Sequence, residues 1–488
     1  MTLAAAPGDL PRSPRIERSE HLFAAPAALF GRGALAQARE VWSLAAPAIA
    51  HMLLITLVFL ASRAMVGRTS AAALASLQIS GTLTWLLYTL FTAFSTGTLS
   101  VVARSVGAGD RLGAARAARA SLLLAIALGL LVAIPIRIAN GSLLGLLFPH
   151  ASPAVLAEAG AYLHIVLPVL PLAFVEAVAA AALQGSGDTR TPLYVATLGN
   201  IVNVVLSALL IFGGLGLPAL GVRGAAIGTA ATMSIEGLLL GALLFSRKSP
   251  LPLGAAAPSS LRDRLSLTRL GWGGASLRRV LRVSAPTFAE RLINQSAYLA
   301  YVAILGLLGP AAMAGNQALV AIEAICFLTA DGFGVAAGAL LAQKLGAGKP
   351  GDAQKAGWIA AAMATAGLST MGLLFALLPR LLMRGFTSDP AIVDLGARAL
   401  LVAAAAQPFM AFATVLGNGM RGAGATRTVL GISFVSAMVV RLLATYFFAI
   451  TLNLGLVGIW LGSTADWVCR SALLGAAYAR GSWRLVKV

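Results

Sequence analysis

Long apolar runs, separated by short breaks rich in Gly, Pro and Arg, dominate the pattern of this chain. An apolar run of about 20 residues is the length a helix needs to cross the hydrocarbon of a bilayer. Twelve such runs stand out: 41–63, 78–102, 119–139, 159–183, 193–213, 222–245, 281–305, 314–342, 356–378, 396–419, 428–449 and 456–478. The pattern predicts an all-α membrane protein with twelve transmembrane helices. Residues 1–40 read as an N-terminal tail and 479–488 as a C-terminal tail. The N-terminal stretch lacks the compact basic-then-apolar layout of a cleaved signal peptide.

The second half of the pattern repeats the first. Ala46-Pro47 returns as Ala285-Pro286, Gly67 as Gly306 and Gln78 as Gln317. Gly107-Ala108-Gly109 returns as Gly346-Ala347-Gly348, and Pro171 as Pro408. The run from Gln184 to Thr191 returns from Arg421 to Thr428, and Gly221, Gly224 and Gly228 return as Gly455, Gly458 and Gly462. Six spans separate each position from its copy, so both copies have the same orientation. The expectation is two pseudo-symmetric six-helix bundles, a parallel internal repeat about an axis along the membrane normal. The N-lobe covers 41–245, a cytoplasmic linker 246–280, and the C-lobe 281–478. Two such lobes face each other across a central cleft.

Composition agrees. Of the 488 residues, 59% are hydrophobic and 11% charged. A soluble domain carries about 25% charged residues. The formal charge of +19 would suit nucleic acid, but the Lys and Arg fall in short patches between apolar runs. Basic patches beside spans set topology. With both termini cytoplasmic, the inside segments hold Arg104, Arg111, Arg116, Arg190, Lys344, Lys349, Arg421 and Arg427, among others, and the outside loops far fewer. No nucleic-acid partner is expected. Cys326 and Cys469 make no metal or disulfide pattern, and no zinc-protease, phosphate-loop or nucleophile-elbow motif occurs, so no enzyme is expected.

Ionisable residues inside spans are costly and so are candidates for function. Glu290 lies one turn beyond Pro286 and occupies the repeat position of His51. Asn294, four residues on, shares its face. The competing reading of Glu290 is a structural ion pair with Arg441 or Arg470. His51 titrates near neutral pH when hydrated, or packs as an uncharged ring. Glu323 and Asp331 are eight apart in one span and present near one face, either to the cleft or to interhelical hydrogen bonds. Glu176, Glu236 and Asp466 are weaker candidates. Arg63, Arg291 and Arg441 either neutralise such acids or reach for the interface.

The repeated motifs resemble those of the multidrug and toxic compound extrusion (MATE) family. They include Met65-Val66-Gly67-Arg68, Gly107-Ala108-Gly109-Asp110, Gly187-Asp188-Thr189-Arg190-Thr191-Pro192, Leu210-Ile211-Phe212-Gly213, Pro218-Ala219-Leu220-Gly221-Val222-Arg223-Gly224 and Met420-Arg421-Gly422-Ala423-Gly424. The resemblance runs from about residue 40 to 478. It implies a monomeric, multi-pass protein of a bacterial inner membrane. Its activity would be export of small organic, cationic or amphipathic substrates in exchange for H⁺ or Na⁺. The coupling ion would bind near Glu290, where family members also place a Glu. The wider superfamily includes flippases for lipid-linked saccharides, the alternative reading; a third is a membrane scaffold. The chain departs from the family in the N-lobe. Ser62 and Ser207 stand where many members carry acids, although Asn203 is retained, and a tenth-span acid is replaced near Met410.

Overall fold

A computed structural model describes residues 33–214, 216, 218–246, 249–251, 274–486 and 488. Most of the expected N-terminal tail and linker, with Arg12, Arg15, Arg18, Arg32, Arg247, Lys248, Arg262, Arg264 and Arg269, lies outside the described residues. Among the described residues, ten helices are long and apolar enough to cross a membrane. They are α1 (Ala34–Gly67), α2 (Ala72–Gly107), α3 (Arg111–Ile138), α4 (Pro153–Gly185), α5 (Arg190–Phe212), α6 (Val222–Phe245), α8 (Pro310–Gly346), α9 (Pro350–Leu377), α10 (Pro390–Gly422) and α11 (Thr426–Thr451). Two more continuous helices, α7 (Ala275–Gly306) and α12 (Gly455–Arg480), complete the twelve. Charge explains their lower hydropathy: α7 carries Arg278, Arg279, Arg282, Glu290 and Arg291, and α12 carries Asp466 and Arg470.

The helices overrun the apolar runs at both ends. α7 begins inside the stretch read as linker, and α1 inside the stretch read as tail. The C-terminal segment is docked rather than a free tail. Trp483 is buried, stacks on Tyr478 with centroids 4.7 Å apart, and donates its indole N–H to the Tyr478 carbonyl.

The repeat extends to backbone conformation. Gly109 and its copy Gly348 have φ of 75° and 72°, and Gly187 and its copy Gly424 have φ of 96° and 93°. Each copy turns the chain between spans in a left-handed conformation that only Gly adopts without strain. The cores interlock reciprocally. Val41 and Ala45 of α1 are buried in the C-lobe core, and Val280 of α7, the copy of Val41, is buried in the N-lobe core.

The lobes meet along α1–α8 and α2–α7, and the contacts below lie toward the end where α1 begins and α12 ends. Gly332 of α8 packs on the Ile49 backbone. Phe288 of α7 lies 5.9 Å and 5.8 Å, centroid to centroid, from Phe91 and Phe94 of α2. Farther toward the termini, a Cβ at Gly107 would strike the Gln343 carbonyl, and one at Gly346 would strike the Arg104 carbonyl. Arg104 and Gln343 are themselves repeat copies. Gln343 Nε2 donates to the Gly185 carbonyl at 2.8 Å, and Lys344 pairs with Glu40 at 2.8 Å. Arg104 also reaches the Ala423 carbonyl at 3.4 Å and Ser284 the Phe94 carbonyl at 3.4 Å, both from one lobe to the other. Phe91, Phe94 and Phe288 thus cluster between the lobes, and the lobes close on each other at the end where α1 begins and α12 ends.

Candidate functional site

The polar chemistry is concentrated inside the C-lobe. Glu290, 2% exposed, projects from α7 toward α10 and α11. Arg421 Nε donates to Glu290 Oε2 at 2.9 Å and Arg421 Nη2 to Oε1 at 2.6 Å. Ser433 of α11 donates to Oε1 at 2.7 Å. Such a fork-on-carboxylate pair satisfies two donors and two acceptors at once. Arg421 Nη1 donates to Asn418 Oδ1 at 2.7 Å, and Asn418 Nδ2 donates to Asp331 Oδ1 at 2.8 Å. The chain of bonds thus ties α7, α10, α11 and α8 together.

This corrects two sequence readings. Arg421 is not an inside-loop charge; it lies in the last turns of α10, with its side chain 18% exposed, and closes on Glu290. The ion partner of Glu290 is Arg421, not Arg441 or Arg470.

A second rank lies one turn farther along α7, at Asn294. Asp466 of α12, fully buried, pairs with Arg441 of α11 at 2.7 Å and with Arg470, one turn on, at 3.2 Å. Arg470 donates to Ser436 Oγ at 3.0 Å and to Asn294 Oδ1 at 3.3 Å. Its guanidinium carbon lies 5.1 Å from the Trp467 ring centre, a cation–π contact. Asn294 Nδ2 donates to the Glu290 carbonyl at 2.9 Å, so Asn294 joins the two ranks. Between these contacts α11 leaves α-helical register: Val435–Arg441 and Phe447–Thr451 are π-helical. Such turns gather at functional sites.

The remaining predicted residues separate. Glu323 faces α10 and α11, and its Oε1 is enclosed without a hydrogen-bond partner. Asp331 is held by Asn418, so both acids of α8 turn toward the interior of the C-lobe. His51 is buried at 4% exposure, and its Nδ1 has no partner. The N-lobe copy of Arg421 is Gln184, so no guanidinium waits opposite His51.

Asn203 organises a neutral N-lobe cluster. It donates to Thr232 at 3.1 Å and accepts from Ser62 and Ser207, each at 3.4 Å. Both serines therefore converge on it. One turn from Thr232, Glu236 packs against Gly199, within electrostatic reach of Glu176. Tyr88 donates to Glu176 at 3.1 Å. Among the described residues neither acid has an ion-pair partner. Their proximity left no mark in the sequence, because they stand on different helices with no spacing to link them.

Two interlocked lobes that close on each other at one end, with a buried charge network inside one of them, are the architecture of a two-lobed membrane transporter. The MatE family model matches residues 47–209 and again 286–447, and the chain belongs to that family. It is 30% identical over 448 residues to a probable multidrug resistance protein NorM of Thermotoga maritima, covering 91% of this chain and 93% of that one. It is 24% identical to multidrug resistance protein PmpM of Pseudomonas aeruginosa, covering 93% of each. Among solved structures it superposes on an outward-facing MATE transporter of the MOP superfamily with a TM-score of 0.82. That match has 22% identity and covers 93% of this chain and 96% of that one.

Proposed function

We propose that this protein is a secondary antiporter that exports organic, cationic or amphipathic compounds in exchange for H⁺ or Na⁺. The observation that carries the reading is the union of two lobes that close on each other at one end with a buried acid, Glu290, wired through Arg421 to helices of the same lobe. With both termini cytoplasmic, the closed end faces inward and the cleft opens outward. Rocking of the lobes about the phenylalanine cluster would exchange access. Neutralising Glu290, by a proton or by Na⁺ displacing Arg421, would free the guanidinium and loosen α7 from α10. The multidrug-resistance names of the NorM and PmpM relatives support the substrate class.

The test is efflux of ethidium from proteoliposomes under a pH gradient and, separately, a Na⁺ gradient. Efflux driven by one gradient and lost in Glu290→Gln supports the reading and identifies the ion. Efflux indifferent to both, or Glu290→Gln efflux that keeps its ion dependence, removes Glu290 from coupling. No efflux from folded protein transfers the weight to a flippase of lipid headgroups.

A further inference from the structure

The end of the molecule away from the lobe seam carries two hollows that the repeat relates to each other. In the C-lobe, α9 starts just past the seam glycine Gly346 and runs to Leu377 at the opposite end. The short helix Pro379–Arg384 follows, and α10 sets off at Pro390. The corner between them holds an open cavity of about 580 Å³. In the N-lobe, the short helix Asn140–Leu147 and the first turns of α4 border another of about 540 Å³. Ala157, Ala161 and His164 line the N-lobe hollow, and Asp394, Arg398 and Leu401 line the C-lobe one. Each of the second three follows its counterpart at the spacing of Pro408 from Pro171. Duplication made the hollow twice, and its lining has since diverged.

Divergence has charged the C-lobe copy. The loops of this end hold few basic residues, yet Arg380, Arg384 and Arg398 gather here around one acid, Asp394. Arg380 pairs with Asp394 at 2.9 Å. Arg384 and Arg398 are exposed and, among the described residues, make no hydrogen bond or ion pair. Asp389, close by in the chain, is engaged as the N-cap of α10, where it accepts from the Ala391 amide at 2.9 Å. In the N-lobe Ala161 stands where Arg398 does, and Arg137 meets His164 at 2.9 Å.

Apolar surface adjoins the two unpaired guanidinium groups. Leu377, Leu378, Leu381 and Leu401 belong to the same lining and are all exposed. Leu401 lies one turn beyond Arg398 on α10, deeper into the membrane-spanning stretch. Water suits a guanidinium but leaves the leucines bare. A ligand that suits both carries a phosphate, which guanidinium groups grip as forks, on acyl chains that cover apolar surface.

We propose that the C-lobe hollow is a binding site for an anionic phospholipid, with the headgroup phosphate between Arg384 and Arg398 and the acyl chains on the leucines. The N-lobe hollow, which has Ala161 in place of that second guanidinium, does not share the preference. The site involves neither the lobe seam nor Glu290, and it does not rest on the antiport reading.

The experiment is native mass spectrometry of the full chain, titrated with palmitoyl-oleoyl phosphatidylglycerol, with phosphatidylcholine of the same chains, and with inorganic phosphate. Phosphatidylglycerol is expected to bind more tightly than phosphatidylcholine. Its affinity should fall by roughly 30-fold in Arg384→Gln/Arg398→Gln, at about fivefold for each arginine. Both residues are exposed, so the fold is not at stake in this variant. The charge-matched control Arg137→Gln/Arg223→Gln, at the N-lobe hollow, should keep wild-type affinity. Equal affinity for the two lipids would reduce the hollow to an acyl contact. Inorganic phosphate bound as tightly as phosphatidylglycerol would make it a site for a free anion. An equal loss in the control would make the preference one of net charge. Each of these overturns the proposal, as does wild-type affinity in Arg384→Gln/Arg398→Gln.

Discussion

Glu290 and Arg421 stand 131 residues apart in the chain and meet through two hydrogen bonds inside the C-lobe. Neither residue has a charged copy in the N-lobe, where His51 and Gln184 hold the equivalent places. The pair is therefore a product of divergence between the halves.

Removing one partner of a buried pair leaves the other charge stranded, at a cost of about 3–5 kcal/mol. Arg421→Ala is expected to lower the unfolding temperature in detergent far more than the double variant Glu290→Gln/Arg421→Met. Equal losses in the two proteins would mean that packing, not charge, holds α7 to α10.

Glu236 and Glu176 predict the opposite sign. Among the described residues no cation pairs with either, so Glu236→Gln removes a desolvated acid and keeps its shape. Thermal stability should hold or rise. A fall of more than about 1 kcal/mol, the scale of one lost hydrogen bond, would mean that the carboxyl does structural work which Gln cannot.

The lobe seam makes a conformational prediction. Gly107→Val or Gly346→Val forces a side chain against a backbone carbonyl of the other lobe, and overpacking of this kind costs about 1–3 kcal/mol. The ratio of sealed to unsealed molecules should fall by about 5- to 150-fold, since 1.4 kcal/mol is a factor of ten. Spin labels at Arg111 and Lys355 should report longer distances in either variant. An unchanged distance distribution would show that the seam does not set the state.

Lys344–Glu40 lies on the same seam but is half open to solvent, with side-chain exposures of 17% and 43%. Exposed pairs contribute about 0–1 kcal/mol. Glu40→Gln should leave the spin-label distances within error of wild type at physiological salt. A large shift would promote the pair from bystander to latch.

The spans, the duplication and the presence of a buried acid at Glu290 were legible in the sequence because each has a linear signature. Apolar length marks spans, ordered motif pairs mark duplication, and an acid in an apolar run marks cost. Arg421 was not legible. It sits among Gly, Ala and Thr in a run that reads as a loop, and its copy Gln184 carries no charge. Only the overrun of α10 past its apolar stretch brings it into the lobe. The inward turn of Glu323 was hidden for another reason. Spacing shows that Glu323 and Asp331 share a face, but not whether that face meets the cleft or α10. The π turns of α11 leave no mark in the apolar pattern.

The reciprocal notches at Gly107 and Gly346 have a bearing on ancestry. Each glycine receives the backbone of the other's helix, so a single half-length chain pairing with its twin would already make both contacts. The seam needs the two halves to stay alike, whereas the charged interior needs them to differ. A duplicated chain can satisfy both demands where an identical pair of subunits cannot, since one lobe can specialise in handling charge while the hinge keeps its inherited symmetry.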